Sequence, residues 1–360
     1  MRLYIIIYIT LYINLLLNQK EYLMKIITIE EIEKSDWSKF VFNHPKGNVF
    51  QTPEMYEVYA KTKKYEPIFL AIIHNNNIQA LLLAHIIKEF NRDFGSISSR
   101  SIIQSGPIFN ENKVGLEALK LLLTEYDRIV KKRALYTEIR NMFDVSEFNH
   151  IFFESGFLYK EMLNFLIDLT KGRDLVWKDI HKTMRKNIKR AERKEIQIEE
   201  ITNKGQISKF YTSLLEVYES ARIPLADISF FKQIFKILVP KKFARFHLAK
   251  YNGEYIGGRL SYFFNKIIFA AYVGTSFNYR KLNVNALLNW RVIEWGLENK
   301  FETFDFGGGG KPGDLEGIRS FKRQFGGKLI ELGRLEKVHK PLLKFISKKG
   351  FKLYRKFGIG

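Results

Sequence analysis

The residue types best suited to chemistry are concentrated between positions 301 and 327. A short β-type run ends at Asp305, four consecutive glycines follow at 307–310, and an aromatic and basic segment at 321–325 closes the stretch. Because glycine lacks a Cβ, this loop can adopt positive φ values and bring backbone close to a ligand. The stretch predicts a ligand site; the alternative is a mobile turn with a packed phenylalanine pair behind it.

A second group of such residues is the basic stretch at 178–194. It holds eight Lys or Arg and two acids, and apolar residues recur from Trp177 to Ala191 at spacings of 3, 4, 4 and 3. This pattern predicts one amphipathic helix over 175–194. Like charges at i,i+4 repel, so an anion would relieve the helix. We predict phosphate capture, for which arginine offers a bidentate fork, against the alternative of a solvated helix.

The elements that must position these residues alternate between strand and helix. In a predicted N-terminal domain at 24–170, the apolar runs at 68–73 and 78–87 read as strands around an asparagine turn. The run at 163–169 is predicted to close this domain.

Lys171-Gly172-Arg173 marks a boundary, after which the alternation restarts in a predicted C-terminal domain at 171–336. Asn252-Gly253 and Asn265-Lys266 supply the turns of a β-meander, and a helix and a strand follow it. The sequence therefore predicts an α/β chain of two domains.

Composition narrows the class of partner. The 360 residues are 46% apolar, which is enough for two domains with cores, and the net charge of +21 implies an anionic partner. That partner is nucleic acid, a phosphorylated substrate or an acidic membrane surface. With no cysteine and seven histidines that show no ligand spacing, no metal site is predicted.

Both ends of the chain are unusual. Residues 1–23 contain an apolar run at 4–17, shorter than the about 20 residues that span a bilayer, and we interpret them as a disordered or mis-called extension. Residues 337–360 hold eight Lys or Arg and no acid, and predict a basic amphipathic C-terminal helix. It would lie on an anionic membrane, hold RNA phosphates or dock on the catalytic domain.

Three motifs resemble those of the Fem family, non-ribosomal peptidyl transferases that build peptidoglycan cross-bridges. The first joins Asp305-Phe306-Gly307-Gly308 to Phe-Lys-Arg-Gln-Phe-Gly-Gly at 321–327, and the others lie at 177–191 and 49–56. The resemblance implies two tandem acetyltransferase-like (GNAT) domains, each a mixed, mostly antiparallel sheet flanked by helices. The family's precursor-binding lysine is missing after Gln51, and Lys61, Lys63 or Lys64 could substitute.

The resemblance also implies roles for single residues. Phe321 and Lys322 match a pair near the reacting centre, where the lysine stabilises charge on the transferred acyl ester; a fixed cation lowers the barrier to a tetrahedral oxyanion. The basic helix helps to bind the diphosphate of the cell-wall precursor, which nominates Arg185 and Arg190. Tyr272 matches a substrate-facing tyrosine of the family, with a packed core aromatic as the alternative. The other predicted substrate-binding residues are Gly307, Gly308, Lys311 and Arg319.

The attacking amine must lose a proton, because a lysine-like amine has a pKa of about 10.4 in solution. Asp305, Asp314 and Glu316 could accept that proton, and so could a phosphate or carboxylate of the substrate.

The donor is expected to be an aminoacyl-tRNA, with no resident cofactor. Arg280 and Lys281 fall where acetyltransferases bind the pyrophosphate of coenzyme A at a helix N-terminus. The usual glycine-rich spacing is absent there. This counts against acyl-coenzyme A, which stays the alternative donor.

The first hypothesis is an aminoacyltransferase that moves an amino acid from aminoacyl-tRNA to an amine of a UDP- or lipid-linked peptidoglycan precursor. It would work in the cytoplasm, peripherally at the inner face of the membrane. The first alternative is an acyl-coenzyme A-dependent N-acyltransferase acting on an amino sugar or other small amine. The second is a non-catalytic, basic RNA- or membrane-binding protein, which leaves the glycine loop and Lys322 unexplained.

Overall fold

The computed structural model describes residues 24–88, 99–313, 317–347 and 349 of the chain. The predicted extension at 1–23 and the end of the predicted tail, 350–360, lie outside the described residues. Within the described part, no helix has the length and hydropathy needed to cross a membrane.

The first sheet is mixed and mostly antiparallel. Its strands are β1 (Lys25–Ile27), β2 (Tyr65–His74), β3 (Asn77–Ile87), β4 (Arg100–Gln104), β5 (Ile108–Phe109), β6 (Tyr136–Arg140), β7 (Leu158–Lys160) and β15 (Arg334–Val338). The order is β1-β2-β3-β4-β6-β15-β7, with β5 paired to β3, and β4 and β6 run parallel. Helices α1 (Lys34–Asn43), α2 (Pro53–Ala60), α3 (Lys113–Val130) and α4 (Asn149–Glu154) accompany it.

The second sheet is also mixed. Its strands are β8 (Leu163–Asp168), β9 (Gln197–Glu200), β10 (Ala244–Tyr251), β11 (Glu254–Phe264), β12 (Ile267–Thr275), β13 (Thr303–Gly308) and β14 (Lys328–Glu331). The order is β14-β8-β13-β12-β11-β10-β9, and β12 and β13 run parallel. Its helices are α5 (Arg173–Asp179), α6 (Lys182–Arg193), α7 (Gln206–Ser220), α8 (Ile228–Ile237), α9 (Val284–Glu298) and α10 (Gly317–Arg323). The predicted architecture of two mixed, mostly antiparallel sheets with helices is confirmed.

Local sequence chemistry explains several boundaries. Thr52 caps α2 by accepting a hydrogen bond from the Met55 N–H (3.2 Å), and Pro53 occupies the first helical turn, where its missing N–H costs nothing. Asn252 and Gly253 both adopt positive φ in the β10–β11 turn, as the asparagine-glycine pair predicts.

Each sheet contains a strand from the other half of the chain. The sequence predicts that the strand at 163–169 closes the N-terminal domain, but β8 pairs with β13 and β14 in the second sheet. Conversely, β15 leaves the C-terminal half and pairs with β6 and β7 in the first sheet. Strand pairing between distant segments is set by packing, which the local hydrophobic pattern does not encode.

The basic stretch is two helices rather than the one predicted over 175–194. The helix breaks at Ile180, which is extended (φ −64°, ψ 130°), and α6 begins after His181. The His181 N–H donates to the Gln324 carbonyl (2.8 Å), so the break is held by the segment that follows α10. The buried face of α6 is formed by Met184, Ile188 and Ala191, which confirms the predicted apolar stripe.

The two sheets share one of the hydrophobic cores. Its buried residues come from both halves, among them Trp37 and Phe69 of the first and Phe210 and Tyr262 of the second. The Phe50 ring packs edge-on against Tyr262 across this junction, with ring centroids 5.1 Å apart. The halves therefore pack as one body with a cleft between them.

Candidate functional site

The cleft between the sheets has a volume of about 1530 Å³. Residues of β2, β3, β4, β6 and β15 line it on one side, and residues of α7, α8, β11, β12 and β13 line it on the other. Gly307 and Gly308 of the predicted glycine loop lie in its wall, as does Tyr272. Three of the predicted site residues therefore share one cavity.

The glycine loop begins where two parallel strands separate. Pairing between β12 and β13 ends at Phe269 and Asp305, after which β13 pairs with β8 alone. Gly307 turns with φ +68°, a left-handed conformation that glycine adopts without strain. A side chain at Gly309 would collide with the Phe165 ring, since its Cβ would lie 2.8 Å from that ring. The loop thus needs glycine at these two positions.

Two cations of α10 hold the loop from behind. The Lys322 Nζ donates to the carbonyls of Phe306 (2.7 Å), Gly307 (3.3 Å) and Gly308 (2.7 Å). The Arg319 side chain donates to the carbonyls of Gly309 (3.3 Å) and Lys311. These bonds hold the loop against α10, which favours a ligand site over the mobile turn of the alternative interpretation.

Asp305 and Lys322 form a pair of opposite charge at this loop, in which Asp305 is buried and Lys322 is half-buried. The Asp305 carboxylate accepts hydrogen bonds from the Gly307 N–H (2.6 Å) and the Asn164 side chain (3.4 Å). Burial raises the pKa of Asp305 to about 6, and burial lowers the pKa of Lys322 to about 8. Between these values both groups are charged. The other two proposed bases, Asp314 and Glu316, lie outside the described residues.

The remaining predicted residues of this stretch surround the pair. Phe321 packs edge-on against Phe325, with ring centroids 5.4 Å apart, and Phe325 in turn packs on Phe306. The Lys311 side chain is exposed. Phe321 and Arg319 therefore pack or bond behind the loop, and of the residues in this stretch Gly307 and Gly308 line the cavity.

Aromatic side chains from both sides of the cleft form an apolar wall. His85 stacks between Tyr59 and Tyr65, with ring centroids 4.1 and 4.9 Å away, and burial lowers its pKa to about 3, so it is neutral at physiological pH. Tyr272 packs edge-on against Phe231 (5.0 Å), and burial raises the pKa of its phenol. The wall thus offers flat apolar faces with neutral hydrogen-bonding groups.

Cations dominate the charged lining of the cleft. Seven basic side chains face two acidic ones, Glu219 and Asp227. The basic residues are Lys63, Lys64, Lys88, Arg100, Arg140, Arg222 and Arg334. A cleft lined by one sign of charge attracts ligands of the opposite sign, so the cavity is suited to an anionic molecule.

The predicted phosphate-binding arginines lie elsewhere. The Arg185 Nη1 donates to the carbonyls of Trp177 (3.2 Å), Lys178 (2.7 Å) and Ile180 (2.8 Å), which are carbonyls left without a helical partner where α5 ends. Arg190 is exposed on α6. Neither arginine belongs to the described lining of the cleft. Their predicted role in substrate binding is therefore not supported by their position.

Most of the basic residues that line the cleft were not predicted from the sequence. Lys63 and Lys64, which were named as substitutes for the family's lysine, do line the cleft, but Arg100, Arg140, Arg222 and Arg334 were not singled out. A signal was present for Arg140, which ends a strand of alternating buried and less buried residues. No local signal marks Arg334, because its place depends on the strand exchange.

The turn before α9 offers no cradle for the pyrophosphate of coenzyme A. Every residue from Ser276 to Asn285 carries a side chain, and Arg280 stacks on the Phe277 ring 3.5 Å from its centroid. The N–H groups of Ala286 and Leu287 both donate to the Asn283 carbonyl. These residues therefore do not fit that group, in agreement with the missing glycine spacing.

Comparisons with known proteins identify the fold. Residues 178–323 match the model of the acetyltransferase (GNAT) domain. No curated protein sequence shows a significant match to the chain. The crystal structure of FemX superposes with a TM-score of 0.68 at 17% identity, covering 90% of this chain and 100% of that one.

Two further solved structures are similar at lower scores. A tandem GNAT protein from the clavulanic acid biosynthesis pathway gives a TM-score of 0.56 at 10% identity, covering 88% of this chain and 99% of its own. L-PGS from Bacillus licheniformis gives 0.51 at 14% identity, covering 75% of this chain and 85% of its own. The chain therefore has the tandem GNAT fold, which confirms the fold implied by the Fem resemblance. The match of residues 178–323 to an acetyltransferase (GNAT) domain agrees with the predicted acyltransferase.

Proposed function

We propose that the protein is a Fem-type aminoacyltransferase, which moves an amino acid from aminoacyl-tRNA to an amine of a phosphate-bearing peptidoglycan precursor. The observation that carries the proposal is the cationic cleft that opens onto a glycine loop held by Lys322. The fold shared with FemX over 90% of the chain supports it.

In the proposed reaction the acceptor amine attacks the ester carbonyl of the donor. A C–N bond forms, the ester C–O bond breaks, and the ribose hydroxyl of the tRNA leaves with a proton. Lys322 gives the loop a fixed conformation and a positive potential beside the developing oxyanion, an arrangement that costs no reorganisation during the reaction. Asp305 holds the loop from its other side through the Gly307 N–H.

The phosphates of the acceptor are assigned to the outer part of the cleft. Lys63, Lys64 and Arg222 line the cavity and are exposed, so an entering ligand would meet them first. Their charges would steer an anionic precursor toward the loop, and the effect should weaken as salt is added. These residues take over the role that the sequence analysis gave to Arg185 and Arg190.

The C-terminal segment supports a peripheral place at the inner face of the membrane. Residues 341–347 are helical, and Leu342, Phe345 and Ile346 are exposed on them. Ile346 also lines the cleft, as does the exposed Ile223 across its rim. An anionic bilayer would cover these side chains and attract the neighbouring lysines.

Vesicle sedimentation tests this placement. The protein should bind vesicles that contain phosphatidylglycerol and should not bind neutral phosphatidylcholine vesicles. Leu342→Ser with Phe345→Ser should reduce binding several-fold without changing transfer to a water-soluble acceptor. Equal binding to both kinds of vesicle, or none, would remove the membrane from the proposal.

A donor screen tests the reaction itself. Labelled seryl-, alanyl- and glycyl-tRNA are each offered with a UDP-linked precursor, and acetyl-coenzyme A is offered with the same acceptor and with an amino sugar. Transfer from a charged tRNA is the expected result. Transfer from acetyl-coenzyme A alone would establish the alternative N-acyltransferase, which the matched acetyltransferase domain favours.

A variant pair separates an enzyme from a binding protein. Lys322→Met keeps the length of the side chain and removes the ammonium group, and Lys328→Met changes an exposed lysine on β14 as a control. Transfer should fall in the first variant only, while precursor binding persists. A protein that binds RNA or lipid equally well in all forms, and transfers nothing, would be the non-catalytic alternative.

A further inference from the structure

Two arginines face each other on neighbouring strands that line the cleft. In the antiparallel pair of β6 and β15, Arg140 lies directly opposite Arg334, and on its other side Arg140 lies opposite Gln104 of β4. All three side chains line the cavity. Because like charges directly opposite each other destabilise a sheet, this arrangement needs a negative partner.

The protein supplies this pair with one carboxylate within its described residues. Glu138 accepts hydrogen bonds from the Arg140 Nε (2.6 Å) and from the Arg334 Nη1 (3.1 Å). Burial opposes the ionisation of Glu138, yet the neighbouring arginines hold its pKa below the usual range. Burial also lowers the pKa of Arg334. Two guanidinium groups thus share one negative charge in a partly buried place.

The pair stands beside the glycine loop. The Arg334 Nη2 lies 3.9 Å from the position that a Cβ on Gly308 would occupy, next to the Met162 sulfur. The outer cations Lys63, Lys64 and Arg222 are exposed lysine and arginine side chains, whereas Arg140 and Arg334 are half-buried. The cleft therefore has an inner cationic group close to the proposed reacting carbonyl and a separate outer one.

We propose that Arg140 and Arg334 bind a carboxylate of the acceptor, so that the part of the precursor that enters the cleft is an amino-acid unit carrying both this carboxylate and the nucleophilic amine. The planar forks of two arginines match the planar carboxylate, which accepts bidentate hydrogen bonds. Binding would position the amine near the glycine loop and add a negative charge to the one that the described residues supply. The role of this subsite in catalysis rests on the proposed acyl transfer. Binding of the carboxylate can be measured without a donor.

The test measures binding of matched acceptors by calorimetric titration. L-ornithine and L-lysine are compared with their carboxamides, which keep both amines and lose the carboxylate, and phosphoethanolamine is the phosphate-bearing probe. Each carboxylate should bind about 10- to 100-fold more tightly than its carboxamide, the range that a charge-assisted hydrogen bond supplies. The preference should disappear in Arg334→Gln and persist in part in Arg334→Lys, which keeps the charge without the fork.

Two further variants guard against an effect on folding. Glu138→Gln removes the competing carboxylate and should tighten carboxylate binding several-fold, which a merely structural role would not do. Arg128→Gln removes an exposed arginine of α3 and should change nothing. Equal affinity for carboxylate and carboxamide in the wild type overturns the proposal, as does a preference for phosphoethanolamine that Arg334→Gln abolishes.

The outcomes also separate this inference from the proposed reaction. If no donor yields transfer but the carboxylate preference depends on Arg334, the reaction is wrong and the subsite stands. If transfer from charged tRNA proceeds equally with carboxamide acceptors, the reaction stands and the subsite is wrong.

Discussion

Arg334 on β15 and Arg185 on α6 differ in what their guanidinium groups contact. The Arg185 guanidinium donates to three nearby backbone carbonyls, where α5 ends. Arg334 shares one carboxylate with a second arginine and faces the cleft. The stretch around Arg185 is far more basic, yet its charges lie outside the cavity. The density of charge along this chain therefore does not predict which cations line the cleft; strand register and burial decide that.

The same contrast applies to the lysines. Lys322 is one basic residue among several near the C-terminus, but its ammonium group contacts three consecutive carbonyls of the loop. Lys189 of the basic helix lies over the face of Trp177, 6.0 Å from the ring centroid. The first contact shapes a cavity wall, and the second covers an apolar surface with a side-chain stem.

The largest expected effect follows from removing the cation behind the loop. Lys322→Met should lower the rate of acyl transfer about 100-fold or more, the usual result of losing one preorganised electrostatic contact. Single-turnover kinetics with saturating acceptor would measure it. A loss in Lys186→Met of the same size would break the comparison, because Lys186 belongs to the exposed basic helix.

The next effect separates the two arginines. Arg334→Gln should lower kcat/KM for a carboxylate-bearing acceptor about 10- to 100-fold, because one charge-assisted interaction is lost. Arg185→Gln should leave kcat/KM within about twofold, since its guanidinium contacts only the chain itself. Steady-state kinetics on both variants would check this. Equal losses of kcat/KM would favour the original prediction that α6 binds the phosphates.

A pH profile sharpens the comparison by testing the pair at the loop. The pKa of Asp305 is raised to about 6, so Asp305 becomes ionised as the pH rises through 6. The pKa of Lys322 is lowered to about 8, so Lys322 loses its charge as the pH rises through 8. If the doubly charged form is active, transfer should peak between about pH 6 and 8. Asp305→Asn should remove the acidic limb of the pH–rate profile. If that limb is unchanged in the variant, the titrating group belongs to the substrate.

The pKa shifts of Asp305 and Lys322 also determine how the stability of the fold depends on pH. The folded state binds the Asp305 proton more tightly than the unfolded chain, so this contribution favours folding at low pH and is lost as the pH rises through 6. For Lys322 the neutral form is favoured in the fold, so its contribution is present at high pH and is lost as the pH falls through 8. The pair is thus kept charged at neutral pH at a cost in stability, as expected of a functional site.

Much of the loop could be predicted because the information is local. The four glycines, the aromatic-basic segment and the turn at Asn252-Gly253 are each encoded within a few residues, and the structure contains them all. The Fem resemblance added the tandem GNAT fold, which periodicity alone does not indicate. The apolar stripe of α6 was equally readable from its spacing.

The inner arginines could not be predicted, because their meeting depends on contacts between distant segments. Arg334 and Glu138 are 196 positions apart and meet only because β15 crosses into the first sheet. The same exchange brings Asn164 of β8 to Asp305 of β13. The predicted single helix over 175–194 was wrong for a related reason: the chain breaks at Ile180, where the Gln324 carbonyl of a distant segment accepts a hydrogen bond from His181.

The smallest expected effect concerns stability within the basic helix itself. Arg185→Gln should lower the free energy of unfolding by about 1–2 kcal/mol, because partly buried carbonyls of α5 lose a charged donor. Arg190→Gln, at an exposed position of the same helix, should stay within about 0.5 kcal/mol. Urea denaturation at low salt would measure both. A loss for Arg190 equal to that for Arg185 would mean that the whole helix responds to charge, and that the capping contacts of Arg185 carry no special weight.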